Sequence, residues 1–220
     1  MSSSLLDIQS LQKSFGDQKI LNGLNLQLEA GQRISIQGPS GCGKSTLLRI
    51  IAGLEAPDDG TLSLSGKAAH QGARILLQPW QRGTQMVFQD LGLWPTRNVL
   101  QHVVDVRKAS GLPNPKAEGE KVLQQLGLGS LLQRRPGKLS GGEARRLAFA
   151  RVMALEPKLI LLDEAFSSLD PENRDQGFEV LEQVLESTGA AVILVTHDPA
   201  EAERLGGTAY RMMEGKLACA

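Results

Sequence analysis

Apolar and polar positions change rhythm along the chain. Between residues 5 and 36 they alternate, as in Leu24-Asn25-Leu26-Gln27-Leu28, before a turn at Ala30-Gly31. A period of two predicts half-buried strands. An antiparallel β layer is therefore expected at the N-terminus, with Pro57-Asp58-Asp59-Gly60 as a turn between two of its strands. Arg33-Ile34-Ser35-Ile36-Gln37 is one short alternating strand, and residues 46–52 are a helical run ended by Gly53. From about Leu91 to Gly137 the pattern turns helical. Helices are predicted over 98–110 and 116–126, punctuated by Pro113, Pro115, Gly127 and Gly129. Another helical run covers 144–155. Beyond it strands and helices alternate: strand 159–163, helix near 172–187, strand 191–196, helix near 199–205, strand near 208–213. Residues 159–162 and 191–195 are apolar without a break. Strands of that kind belong in a parallel sheet covered on both faces, so the chain reads as α/β.

Composition narrows this. At 220 residues the chain is one compact domain, or a core with one inserted subdomain. It carries 24 basic and 24 acidic residues and no run of like charge, so it has no electrostatic footprint for nucleic acid. No apolar stretch approaches the ~18 residues that read as a membrane span. The start, Met-Ser-Ser-Ser-Leu-Leu-Asp, lacks the basic and apolar regions of a signal peptide. A cytoplasmic chain is expected, working on a membrane only through a spanning partner. No added C-terminal domain is expected after the last strand. Two cysteines, Cys42 and Cys219, make no disulfide framework.

Candidate chemistry concentrates in three places. Residues 38–46 read Gly-Pro-Ser-Gly-Cys-Gly-Lys-Ser-Thr, a complete G-x-x-x-x-G-K-[ST] phosphate loop with strand before and helix after. Its glycines let consecutive N–H groups turn toward phosphate oxygens. Lys44 supplies charge to the β- and γ-phosphates, and the Ser45 hydroxyl can ligate Mg²⁺. Gly38, Pro39, Ser40, Gly41, Cys42, Gly43 and Thr46 complete the loop, with Cys42 read as a small residue tolerated there. The second place is the apolar strand ending in Asp163 and Glu164. Asp163 can reach Mg²⁺ through water, and Glu164 can polarise an attacking water as general base. The third is Leu139-Ser140-Gly141-Gly142-Glu143. Ser140 and Glu143 have capping-box spacing, and the two glycines allow close approach to an anion at a helix N-terminus.

Taken in order, these residues resemble the ATP-binding cassette (ABC) ATPases over nearly the whole chain. Phe15 matches the adenine-stacking aromatic and Gln89 the Q-loop glutamine, which also reaches the metal. Residues 139–143 match the signature, Asp163 and Glu164 the Walker B pair, Ser168-Leu169-Asp170 the D-loop, and His197 the switch histidine that senses γ-phosphate. The resemblance implies a P-loop NTPase (RecA-like) core, residues 1–88 and 138–220, with the N-terminal antiparallel β layer and an inserted α-helical subdomain over 89–137. It implies ATP and Mg²⁺ as ligands. It also implies a head-to-tail homodimer, or pairing with a second ABC subunit, in which one chain's Ser140, Gly141 and Gly142 close over the other's nucleotide.

The partner expected is an integral-membrane permease, with a solute-binding protein in addition if the system imports. Import is the favoured output. Lipoprotein or lipid export, and gating of a cell-envelope membrane partner without transport, are the alternatives. Glu143 bears on this choice, because importers more often carry Gln there. Ala165 replaces a common Pro, and Phe15 a commoner Tyr. Trp94 is either a core residue of the helical subdomain or an exposed aromatic that receives the partner. His70 and His102 match no motif and read as surface or packing residues.

Overall fold

The computed structural model describes residues 4–88, 90–167 and 169–219. Its strands are β1 (Leu6–Phe15), β2 (Gln18–Leu28), β3 (Arg33–Gln37), β4 (Asp59–Leu64), β5 (Lys67–Gln71), β6 (Arg74–Ile75), β7 (Thr84–Val87), β8 (Leu159–Asp163), β9 (Ala191–Thr196), β10 (Thr208–Met213) and β11 (Lys216–Cys219). Its helices are α1 (Lys44–Ala52), α2 (Val99–Ala109), α3 (Pro115–Gln125), α4 (Gly141–Met153), α5 (Pro171–Thr188) and α6 (Pro199–Leu205). The chain folds as two compact units. Residues up to Met86, Lys158–Glu164 and the stretch from Gly189 onward make the first. Val87–Pro157 and Ala165–Thr188 make the second. The second unit thus holds the predicted insertion together with α4 and α5.

Two sheets build the first unit. One runs β2-β1-β4-β5-β6 and is antiparallel throughout, as the alternation predicted. The other runs β11-β10-β3-β9-β8-β7, with β10, β3, β9 and β8 parallel. Here β8 and β9 bury every residue except Asp163, which explains their unbroken apolar sequence. A single core joins side chains of both sheets to α1, whose Leu47, Leu48, Ile50 and Ile51 are all fully buried. A helix apolar around most of its circumference must be enclosed, and α1 is. The final strand β11 was not predicted. Its residues bury little, so no alternation marks it, and it forms by pairing with β10.

The second unit is helical. Asn98 caps α2 by accepting from Gln101 N–H, and the Gln101 side chain returns the bond to Asn98 N–H. Each such cap offsets backbone donors that the helix leaves unpaired. Three aromatics form the centre: Phe166 stacks on Phe178 with ring centroids 4.2 Å apart and on Phe149 at 6.3 Å, and all three are buried. Gly177 gives Phe166 its space, since a Cβ there would lie 3.0 Å from the ring. Buried Arg107 ties loop ends to α2, donating to the carbonyls of Ala154 at 2.6 Å and Pro113 at 3.1 Å. Phe178→Ala removes the middle of this stack, and a loss of about 3–5 kcal/mol is expected for a buried Phe. Urea unfolding followed by far-ultraviolet circular dichroism measures it; an unchanged midpoint would show that the stack contributes no stability.

Candidate active site

The phosphate loop is held open by its own neighbours. It leaves β3 at Gln37 and enters α1 at Lys44. A Cβ on Gly38 would sit 2.6 Å from the Met212 carbonyl oxygen, and one on Gly43 would sit 2.9 Å from that of Ile20. Gly43 also has φ 109°, outside the range of L side chains. Neither position can carry a side chain without moving a strand. At its start α1 has no side-chain cap and no acidic residue in its first turn, so its positive pole is left for an anion.

This pole lines a cleft of about 290 Å³ together with Phe15, Ile20, Ser40, Gly41 and Glu164. Lys44 is almost fully buried, and its ammonium donates to the carbonyls of Gly38 at 2.8 Å and Pro39 at 2.9 Å. The curl of the loop therefore grips the cation. Phe15 stands at the rim, 51% exposed, with the Lys13 ammonium 5.1 Å from its ring centroid. Lys13 is in turn fixed by Glu55 at 2.8 Å, Asp58 at 3.3 Å and the Ala56 carbonyl at 2.8 Å. Burial pulls its pKa down, but the bonds to Glu55 and Asp58 outweigh this and hold it above the ordinary value.

Of the acidic pair at the end of β8, Glu164 lines the same cleft and Asp163 meets Ser45, which also lines it. Ser45 Oγ donates to Asp163 Oδ1 at 2.7 Å, bridging α1 to the end of β8. Burial raises the Asp163 pKa and the Glu164 charge adds to this, while the Ser45 bond opposes it. Glu164 adopts φ 50° and donates its N–H to the Val195 carbonyl at 3.0 Å. A left-handed glutamate costs about 1–3 kcal/mol, and here it ends the strand with the carboxylate at the cleft. His197 follows β9, with Nδ1 3.8 Å from Glu164 Oε2. Its flanks are pinned: Thr196 Oγ1 donates to buried Glu201 at 2.6 Å and accepts from Asp198 N–H at 3.0 Å, and Asp198 caps α6.

Magnesium suits this donor set. It binds through one or two carboxylates or hydroxyls plus phosphate oxygens and water. The Ser45 hydroxyl and the Asp163 carboxylate are oxygen donors already in contact. Gln89, predicted as a further ligand and catalytic group, lies outside the described residues.

In the second unit, Ser140 accepts from Glu143 N–H at 3.2 Å while Glu143 Oε2 accepts from Ser140 N–H at 2.7 Å. The backbone bond from Ser140 holds the Glu143 pKa below its usual range. Beyond this cap Gly141 faces open space, and a Cβ on Gly142 would meet only ordinary contacts. A cleft of about 440 Å³ lies beside them, lined also by Arg145, Arg146 and Asn173. Asp170 accepts from the Asn173 backbone at 2.9 Å and side chain at 2.6 Å, which caps the start of α5 and lowers its pKa. Ser168 lies outside the described residues. Phe15, the phosphate loop, Asp163, Glu164 and His197 thus converge in one unit. Residues 140–143 and Asp170 share the other.

Residues 21–167 match the family described as ABC transporter. The chain belongs to the ABC transporter family. Among curated relatives, the aliphatic sulfonates import ATP-binding protein SsuB 2 of Agrobacterium fabrum is 40% identical over 96% of this chain and 77% of its own length. The Fe(3+) ions import ATP-binding protein FbpC of Mesorhizobium japonicum is 40% identical over 97% of this chain and 59% of its own. The sn-glycerol-3-phosphate import ATP-binding protein UgpC 1 of Rhizobium johnstonii is 38% identical over 96% of this chain and 57% of its own. The chain therefore spans little more than half the length of these last two. The ADP conformation of MJ1267, an ATP-binding cassette of an ABC transporter, shares the fold, with a TM-score of 0.83 over 98% of this chain and 90% of that one at 24% identity. The chain is an ABC ATPase with the P-loop NTPase fold.

Some of this ABC cassette's functional neighbours were not legible in its motifs. Lys13 occupies an inward position of β1, after the irregularity at Ser10, where the alternation alone calls for an apolar residue. Neither His70 nor His102 is a surface residue, since both are fully buried. His102 accepts from Trp94 N–H at 2.9 Å and stacks on the indole at 5.3 Å, while Arg151 lies 5.1 Å from the same ring. Trp94 is thereby fixed and still 39% exposed. Cys42 and Cys219 are free thiols.

Because burial raises the Asp163 pKa, the native state binds that proton more tightly than the unfolded chain does. The stabilising contribution is full below the ordinary carboxylate range and is lost as pH rises through the raised value. Asp163→Asn should therefore melt higher than wild type at pH 7 without nucleotide, with the gain shrinking toward pH 4. The same variant should lose about 10–100-fold in Mg-dependent turnover, as is usual for groups that orient a metal. Scanning calorimetry at the two pH values checks the first part. A melting point lowered at pH 7 would contradict the burial argument.

Proposed function

We propose that this chain binds and hydrolyses Mg-ATP and couples the cycle to solute import through a membrane permease. The meeting of the phosphate loop, Ser45 and Glu164 on one cleft, with Asp163 bonded to Ser45 and His197 beside Glu164, carries the reading. ATP stacks its base on Phe15 and lays its phosphates along the loop N–H groups and the start of α1. Lys44 exchanges the Gly38 and Pro39 carbonyls for phosphate oxygens. Ser45 and Asp163 would hold Mg²⁺, which would supply neutralisation of phosphate charge when bound. Glu164 polarises the attacking water, and His197 beside it contacts the γ-phosphate. Phosphoryl transfer needs little beyond this positioning and charge stabilisation.

A second copy, or a second ABC subunit, completes the site by presenting Ser140, Gly141 and Gly142 to the γ-phosphate. The openness around Gly141 supports that use, as does the capping box, which fixes the helix start behind it. The resemblance assigns the Q-loop role of metal ligand and catalytic group to Gln89, which lies outside the described residues, and the D-loop to Asp170. Residues 89–137 act as the inserted helical subdomain and the remainder as the ATP-binding core.

Import is supported by the relatives, which are named as ATP-binding proteins for the import of aliphatic sulfonates, Fe(3+) ions and sn-glycerol-3-phosphate. Their diversity points to specificity in the permease and a solute-binding protein. No described helix is long and apolar enough to cross a membrane, which supports a cytoplasmic subunit held at the membrane by its partner. Glu143 does not favour export, because its capping role would be served equally by Gln.

Glu164→Gln should bind ATP normally and lose about 10²-fold or more in turnover, the range for a general base, while accumulating an ATP-bound dimer. Steady-state hydrolysis and light scattering with and without ATP test this; near-normal turnover removes Glu164 from the role. The shared site has a separate test. Lys44→Ala and Gly141→Asp homodimers should each be nearly inactive. Mixed, they place both lesions in one composite site and leave the other intact, so activity should return. A fully active Gly141→Asp protein would exclude the signature from the site.

A further inference from the structure

Arg82 belongs to none of these motifs, yet it is 5% exposed. A guanidinium carries five N–H donors, and each of the five is engaged. Nε donates to the Leu77 carbonyl at 3.0 Å, and Nη2 donates to the same oxygen at 2.8 Å. Nη1 donates to the carbonyls of Ile50 at 2.8 Å and Ile51 at 2.9 Å. The remaining Nη2 donor meets His70 Nε2 at 2.9 Å. Arginine can only donate, so this nitrogen of His70 accepts and the ring is neutral. Burial pushes its pKa down to about 4, with the Arg82 charge adding to the effect.

None of these partners carries a negative charge, and no Asp or Glu occurs from residue 60 to residue 89. The counter-charge is the negative pole of α1. Ile50 and Ile51 lie in the last turn of that helix, where carbonyls lack intrahelical donors. The backbone supplies some: Gly53 N–H donates to Ile50 at 3.1 Å and Leu54 N–H to Arg49 at 2.8 Å. Arg82 supplies the others. Gly53 leaves it the space, since a Cβ there would fall 2.5–2.8 Å from the guanidinium.

The other end of α1 carries Lys44, Ser45 and the phosphate loop. With nine residues the helix is only about 13 Å long and behaves as one rigid piece. We propose that Arg82 is a positioning residue of the ATP site: by gripping the C-terminal carbonyls of α1 and tying them to β5 and the Leu77 loop, it sets where the helix presents its N-terminus to phosphate. This rests on the ATP reading above. Asp163, Glu164 and His197 stand on or after β8 and β9, so the effect of Arg82 falls first on what α1 carries, the phosphate grip of Lys44 and the Ser45 hydroxyl.

Four variants test the proposal: Arg82→Lys, which keeps charge but not the five-donor fork, Arg82→Met, His70→Gln, which keeps an acceptor, and His70→Leu. Binding of a fluorescent ATP analogue, KM and kcat for ATP, and thermal midpoint are measured for each, well below the melting range. Both Arg82 variants should raise Kd and KM by about 10- to 100-fold, the scale of remote misplacement, with any loss in kcat at saturation smaller than the change in Kd. His70→Gln should restore nearly wild-type KM, and His70→Leu should fall between. A lowered melting point with unchanged Kd and KM would reduce Arg82 to a structural residue and overturn the proposal, as would a loss in kcat alone. If both Arg82 variants misfold, equal Kd for His70→Leu and wild type overturns it. A wild-type protein that binds no ATP would instead sink the underlying reading.

Discussion

Everything in the first unit is arranged around a backbone that cannot be thickened. Gly38 presses on the Met212 carbonyl and Gly43 on that of Ile20, so the loop between β3 and α1 is wedged between strands of both sheets. Its path is thereby set from outside. Within the loop the Cys42 N–H donates to the Pro39 carbonyl at 3.4 Å, and Lys44 donates to the carbonyls of Gly38 and Pro39. The same wedging fixes where α1 starts, and Ser45, in its first turn, meets Asp163 from β8 at 2.7 Å. That bond exists only because β3, β9 and β8 are adjacent parallel strands ending at the same edge.

Buried charge is the second theme. A charge removed from water is tolerated only when its partners are complete. Lys13 finds two carboxylates and a carbonyl, and Glu201 finds the Thr196 hydroxyl. Arg107 uses the carbonyls of Ala154 and Pro113 with Glu156, and Arg82 uses helix-end carbonyls and a neutral imidazole. Arg107 Nε is nevertheless left without a hydrogen-bond partner, and the Asp163 pKa is raised despite the Ser45 bond. An acid kept at a cost beside a phosphate loop suits a site completed by a cation. Strain at Glu164, at φ 50°, belongs to the same pattern of local disadvantage at chemically active positions.

The two units divide labour in a way that matches the proposed cycle. Among the described residues, one carries Phe15, the phosphate loop, Asp163, Glu164 and His197, the groups proposed to meet the chain's own nucleotide. The other carries the capped glycines of the signature, an acid-capped helix at Asp170 and a tryptophan fixed by His102 and Arg151. A catalytic site split between copies makes hydrolysis conditional on their approach, which is what a coupled machine requires.

The sequence by itself determined the phosphate-loop pattern, the acidic pair at the end of β8 and the capping box at Ser140, because each is a local pattern read from spacing along the chain. It determined most elements too. Strand alternation, unbroken apolar runs and capping residues such as Asn98 and Ser140 are read within a few residues of where they act. What only tertiary structure decided involves partners distant in sequence: Lys13 with Glu55 and Asp58, Arg82 with Ile50 and His70, Trp94 with Arg151, and the pairing of β11. A buried arginine leaves no periodic trace, since its burial depends on carbonyls supplied by another element. The motifs name the atoms proposed to meet the nucleotide, and the packing of long-range polar contacts sets where those atoms stand.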